Sequence, residues 1–121
     1  MRFKNLLAGL IAAFLAVPAA AAELVMVQEP GCIWCARWNA EIGPAYPKTS
    51  EGKFAPLRRV DIRDLPADLT VTRRVRFTPT FLLVEDGQEL ARLEGYPGDQ
   101  FFWPLLAGLL RDNTDYRGAG E

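Results

Sequence analysis

The stretch Glu29-Pro30-Gly31-Cys32-Ile33-Trp34-Cys35-Ala36-Arg37-Trp38 carries both cysteines of the 121-residue chain, with two residues between them. Ahead of it, Leu24 to Val27 is an unbroken apolar, valine-rich run, which predicts a short strand buried on both faces. Pro30 and Gly31 end that strand. Beyond Cys32, the apolar and small residues Cys35, Ala36, Trp38, Ala40 and Ile42 recur at helical spacing until Gly43 and Pro44 stop the helix. Cys32 therefore falls at a helix N-terminus, where free N–H groups and the helix dipole favour a thiolate and lower a thiol pKa from about 8.5. Cys35, one turn further in, is expected to be buried and protonated until needed. The spacing lets the second sulfur reach the first across one helical turn, so that a mixed disulfide on Cys32 can be resolved within the chain.

Two other uses of the cysteines compete with this redox reading. A stabilising disulfide is common in exported proteins, but in the chain-entropy model its effect grows with the loop it closes, and a two-residue gap closes a very small one. A metal site would need further ligands, and the chain has no histidine. No metal and no cofactor is expected.

The N-terminus bears on compartment. Arg2 and Lys4 precede an apolar run from Leu6 to Val17, then Pro18 and the small residues Ala19 to Ala22, which is the layout of a secretory signal peptide. The run is shorter than the roughly 20 residues of a membrane span. Ala20 and Ala22 supply an A-x-A cleavage site, giving a signal peptide over 1–22, a single domain over 23–121, and no stable membrane anchor after processing. Without Arg2 and Lys4 the chain has 12 basic and 15 acidic residues, so the basic footprint of a nucleic-acid binder is missing. Export places the cysteines where disulfides persist, with a bacterial periplasm as the expected location.

Further along, Tyr46 to Phe54 is turn-rich with room for an extra helical turn, and Leu57 to Ile62 reads as a strand. Asp64, Pro66 and Asp68 offer starts for a short helix running toward Val75. Thr80 to Val84 is a second continuous apolar strand, Asp86-Gly87 a turn, and Glu89 to Glu94 the return strand of a hairpin with Leu90 and Leu93 inward. Gly95 to Gly98 breaks the chain before an apolar helix from Asp99 to Arg111, which Pro104 should kink or divide. The order strand, helix, strand, helix, strand, strand, helix implies one α/β layer structure, parallel first and antiparallel after.

With Thr78-Pro79-Thr80 entering the strand Phe81 to Val84, the mature chain resembles a thioredoxin-fold protein. The resemblance implies a mixed central sheet of about four strands flanked by helices, a cis bond before Pro79, packing of Pro79 against the dithiol, and pairing of the Thr78 backbone with an extended substrate segment. Gly95 matches the family's glycine after the last strand, where a partner can approach closely. Thioredoxins carry a buried acid six residues before the first cysteine; here that position is Met26, which leaves Glu29 or a water to take the proton of Cys35. The signal peptide together with Gly-Cys-Ile-Trp-Cys-Ala-Arg-Trp, Phe-Thr-Pro-Thr-Phe and Glu-Gly-Tyr-Pro-Gly resembles more narrowly the small SoxS-type thioredoxin-like proteins of sulfur-oxidation systems.

That resemblance implies a monomeric periplasmic thiol–disulfide oxidoreductase, with Cys32 as nucleophile and Cys35 as resolver. It would act as a reductase on a protein disulfide, the sulfur-carrier protein of such a system, and be recharged by a membrane-embedded thiol donor. A disulfide-donating oxidant would use the same residues with the opposite poise, although only 43 residues separate Cys35 from Pro79, few for the helical insertion that oxidants usually carry. A module whose cysteines bind a metal or a partner without cycling is the alternative from another class. Among the aromatics, Trp34 and Tyr96 are expected to lie near the exposed sulfur, while Trp38, Phe101, Phe102 and Trp103 default to core packing. Arg58, Arg59, Arg73, Arg74 and Arg76 read as solvated faces, and Arg37 as a surface residue close enough to the dithiol to favour its thiolate.

Overall fold

The computed structural model describes residues 21–118, so the expected signal peptide lies almost entirely outside the described residues. Strand β1 (Ala22–Gln28) is followed by helix α1 (Ile33–Glu41), a 3₁₀ turn (Tyr46–Lys48), helix α2 (Ser50–Phe54) and strand β2 (Leu57–Asp61). The hairpin β3 (Thr80–Glu85) and β4 (Gln88–Glu94) leads to helix α3 (Asp99–Asn113). The sheet order is β2-β1-β3-β4, with β1 and β2 parallel and the other two pairs antiparallel. The mixed four-stranded sheet flanked by helices is the thioredoxin-like fold.

Alternation along β1 builds both halves of the core. Leu24 and Met26 face one side, in a cluster with Cys35, Trp38, Ile42, Tyr46, Phe81, Phe102 and Leu106. Val25 and Val27 face the other, with Val60, Val75, Leu82 and Val84. Trp38 centres the first cluster, its ring centroid 5.1 Å from Phe81, 5.7 Å from Phe102 and 6.1 Å from Tyr46. Phe102 joins this core as expected and Trp103 is half-buried, but Phe101 is exposed.

The turn-rich region does hold helical turns. Thr49 caps α2 by accepting from the Gly52 N–H at 3.0 Å, and a Cβ at Gly52 would collide with the Tyr46 carbonyl. In the β3–β4 turn Asp86 and Gly87 both have positive φ, as a two-residue hairpin turn requires.

Three expectations are corrected. The helix expected toward Val75 is not formed. Thr70 instead pairs with the outer edge of β4, donating to Gly87 O (2.7 Å) and accepting from Glu89 N (2.9 Å). Thr70, Val71, Thr72 and Val75 are β-branched and favour helix little, so these edge bonds prevail. Second, α3 runs unbroken through Pro104, which is exposed, so the carbonyl left without a donor can be hydrated. Third, Leu90 does not point inward. Leu83 pairs with Ala91 but Val84 with Glu89, which leaves Leu90 as the extra residue of a β-bulge, 37% exposed.

The bulge turns Glu89 onto the same face as Arg92. Their side chains are 2% and 4% exposed, and two Arg92 N–H groups donate to the carboxylate at 2.6 Å. Glu89 also accepts from the Thr72 N–H at 3.0 Å, and Arg92 donates to the Arg73 carbonyl at 2.9 Å. The pair thus holds the irregular crossover onto the sheet in place of a helix. Burial alone would raise the Glu89 pKa, but the bonds from Arg92 and Thr72 outweigh it and hold the carboxyl below its usual range.

Removing one partner leaves a buried charge, so Glu89→Ala and Arg92→Ala should each cost about 3–5 kcal/mol in urea unfolding, with the double leucine variant less destabilised than either. Because folding depresses the Glu89 pKa, its contribution is complete above the ordinary glutamate value of about 4.3 and is lost as pH falls through the lower folded value. That acid-dependent component should be missing from the unfolding curves of Glu89→Gln.

Candidate active site

Strand β1 ends at Gln28 and the chain turns through Pro30 and Gly31 into α1. Gly31 has φ +82°, a conformation that favours glycine. Cys32 is the N-cap residue of α1: its backbone is extended, its carbonyl accepts from Ala36 N (3.1 Å), and its Sγ accepts from the Cys35 N–H at 3.0 Å. A sulfur that receives a helix N-terminal N–H is one at which negative charge is stabilised. Cys32 is partly exposed and Cys35 is 3% exposed. The two are joined in a disulfide, with Cα atoms 5.2 Å apart.

The bond between Thr78 and Pro79 is cis, and it leads directly into β3, whose Thr80 pairs with Val27 near the end of β1. The Thr78 hydroxyl donates to Glu29 Oε1 at 3.0 Å, tying this loop to the residue that opens the cysteine turn. Gly95 N donates to the Pro79 carbonyl at 2.7 Å, so Gly95 borders the same loop, and Thr78 itself has no backbone hydrogen bond among the described residues. Between the two cysteines Ile33 is 77% and Trp34 53% exposed, and Phe77, just before the Thr78–Pro79 bond, is 57% exposed.

The computed structure is similar to the crystal structure of the periplasmic thioredoxin SoxS from Paracoccus pantotrophus in its reduced form. The two share 54% sequence identity over 74% of this chain and 96% of the other, with a TM-score of 0.72. The chain belongs to the SoxS-type thioredoxins. No protein-family model and no curated protein matches it. Membership makes this thioredoxin a thiol–disulfide oxidoreductase and implies a protein substrate; the Cys32–Cys35 disulfide is the oxidised form of its dithiol.

An open cleft beside the dithiol of this thioredoxin reaches Cys35 between Gln28, Glu29, Asn39, Arg59 and Asp61. Met26, where a buried acid was wanting, is fully buried in the apolar cluster that holds Cys35. The only buried carboxylate among the described residues is Glu89, whose neighbours lie on the other face of the sheet. The polar side chains beside Cys35 are those that line the cleft. Asp61 is a poor base: hydrogen bonds from Arg63 bring its pKa down to about 2. Asn39, which accepts two bonds from Arg59 at 3.0 and 2.9 Å and donates to Gln28 at 3.3 Å, was not singled out in the sequence. Only the β1–β2 register, with Met26 opposite Arg59, brings these residues together.

Tyr96 is near the site in sequence but turned inward, 6% exposed and packed on Phe102. Its hydroxyl donates to Glu41 Oε2 at 2.7 Å, Arg37 binds Glu41 Oε1 at 2.7 Å, and the Arg37 guanidinium lies 5.5 Å from the Trp34 ring centroid. Arg37 is thus engaged by Glu41 and Trp34. The chain of contacts links the Gly95–Tyr96 corner to the indole next to the cysteines. Hydrogen bonds from Arg37 first, and then from Tyr96, hold the Glu41 carboxyl below its usual range.

Tyr96→Phe should raise the Glu41 pKa toward the ordinary glutamate value, read from the pH titration of its side-chain carbon by NMR. The indole signal of Trp34, assigned by its loss in Trp34→Phe, should follow the same titration in the parent and shift to the higher pKa in Tyr96→Phe.

Proposed function

We propose that this thioredoxin works as a periplasmic reductase, processed by removal of its N-terminal signal peptide, that keeps a cysteine of a partner protein reduced. The partner is the sulfur-carrier protein of a sulfur-oxidation system. The observation that carries the reading is the similarity to periplasmic SoxS, supported by a partly exposed sulfur at Cys32 and a buried one at Cys35. An expected cut after Ala22 would remove the first residue of β1, a residue paired with Glu85 at one end of the sheet.

In the reduced enzyme the Cys32 thiolate attacks one sulfur of the partner's disulfide. The partner's S–S bond breaks, its other sulfur leaves as a thiolate, and a mixed disulfide forms on Cys32. Cys35 then loses its proton into the cleft, with Glu29 or a water as acceptor, and attacks Cys32 Sγ. The mixed disulfide breaks, the partner's thiolate is released, and the Cys32–Cys35 disulfide remains, so the partner gains two electrons and the dithiol loses two. A membrane-embedded thiol donor restores the dithiol. Thr78, Pro79, Trp34, Gly95 and Tyr96 form the substrate-binding set: the free backbone of Thr78 pairs with the extended substrate segment, Trp34 and Gly95 border it, and Tyr96 positions Trp34 through Glu41 and Arg37. The enzyme acts as a monomer.

Cys35→Ser should accumulate a mixed disulfide through Cys32, identified by mass spectrometry of the captured partner, and the further replacement of Cys32 should abolish it. Capture of no exported protein would refute the mechanism. The reduction potential separates the two directions: a value near thioredoxin's, about −270 mV, supports the reductase, and one near that of DsbA, about −120 mV, supports a disulfide donor. A purified protein that holds metal, or a dithiol that cannot be oxidised, would favour the non-cycling module.

A further inference from the structure

The irregular crossover after β2 leaves the second face of the sheet incompletely covered. Ile62, Leu65, Val71, Val75 and Phe77 line an open groove of about 760 Å³ there. Phe77 is also a wall of the smaller depression made with Thr78, Glu94 and Gly95. One exposed ring therefore joins the groove to the depression at Thr78 and Gly95.

The groove is rimmed by Arg63, Arg74 and Arg76. The arginines of this region differ in their partners. Arg58 binds Asp68 and Glu23, Arg63 binds Asp61, and Arg73 binds Glu94. Arg59 is bonded to Asn39. Arg74 and Arg76 are exposed and have no acidic partner among the described residues. The dithiol cleft is bordered by Glu29 and Asp61 together with Arg59, whose guanidinium is taken up by Asn39, whereas Arg74 and Arg76 have no side-chain partner among the described residues.

We propose that the groove is a docking site for an acidic segment of the protein substrate. The segment extends from the reactive cysteine over Phe77, sets an apolar side chain among Ile62, Leu65, Val71 and Val75, and places its carboxylates against Arg74 and Arg76. The proposal rests on the thiol–disulfide reading and adds to it a rule for substrate choice: acidic residues displaced from the target cysteine, with an apolar anchor between. Charge matching of this kind acts mainly on the rate of encounter and on selection among partners.

The test uses the reduced protein and synthetic peptides whose single cysteine is blocked as a mixed disulfide with thionitrobenzoate. Attack by Cys32 on the peptide sulfur releases the coloured thiolate, and Cys35 then frees the peptide. One peptide carries a leucine and a run of glutamates a few residues from the cysteine, in versions with the run on either side. Controls replace the glutamates by glutamine or the leucine by serine, and the thionitrobenzoate disulfide of mercaptoethanol gives the reference rate. At low salt one acidic version should react about fivefold or more faster than its glutamine counterpart, with the gap closing as salt rises. The ratio should fall toward one in R74Q/R76Q and below one in R74E/R76E, and the serine control should lose rate. Equal rates for acidic and glutamine peptides, a preference that survives R74E/R76E, or a serine control as fast as the leucine peptide would each overturn the docking site. Failure of the wild type to release colour from the mercaptoethanol disulfide would instead overturn the thiol–disulfide reading.

Discussion

Strand β1 is hydrogen-bonded along both edges, to β2 on one side and β3 on the other, and is buried on both faces. A strand so enclosed has little freedom to shift, because a slip of one residue would exchange Leu24 and Met26 with Val25 and Val27 across the sheet. Its C-terminal end is consequently a rigid point in the molecule. The turn through Pro30 and Gly31 starts from that point and delivers Cys32 to the first N–H groups of α1. The helix is held in turn by Trp38, packed among Phe81, Phe102 and Tyr46. The geometry of the dithiol is thus inherited from two buried anchors, one on each side of the turn.

The second face of the sheet is organised by a different force. Where a helix was expected to cover it, the chain from Ile62 to Thr78 crosses as irregular backbone, and such backbone needs polar partners. The bulge at Leu90 supplies them by turning Glu89 inward beside Arg92. This ion pair is almost wholly desolvated, yet each member has additional hydrogen bonds to the crossover backbone, the condition under which a buried pair is tolerable. The resulting cover is thinner than a helix, which is why an apolar groove with unmatched arginines remains next to Phe77.

The active site combines these two regimes. On the core side, Cys35 is sealed against Met26 and its apolar neighbours, with no acid in reach. On the open side, the cleft borders the same cysteine with the polar side chains of Gln28, Glu29, Asn39, Arg59 and Asp61. Across the mouth, Tyr96, Glu41 and Arg37 couple the corner at Gly95 to Trp34. Where the family's buried acid would stand the chain has Met26, and the polar side chains beside Cys35 are those of the cleft.

Much of this was legible in the sequence. The apolar runs Leu24–Val27 and Thr80–Val84, the helical spacing after Cys32, and the Asp86-Gly87 turn are local signals, and each specifies its element because burial pattern and backbone preference agree there. The likeness to SoxS-type thioredoxins rested on the expected signal peptide, the cysteine motif, Phe77-Thr78-Pro79-Thr80-Phe81 and Glu94-Gly95-Tyr96-Pro97-Gly98, and the structural similarity supports it. Tertiary structure alone decided the crossover, the bulge and the cleft. Asp64, Pro66 and Asp68 could start a helix toward Val75, but Thr70 is claimed by the edge of β4. Leu90 alternates correctly by itself but loses its place when Val84 pairs with Glu89. Asn39 and Arg59 are unremarkable polar residues until the parallel register of β1 and β2 brings them to the cleft that reaches Cys35. In the crossover and the cleft the deciding contact joins residues far apart in the chain, and in the bulge it is the register across a hairpin; periodicity along a single segment carries no information about either.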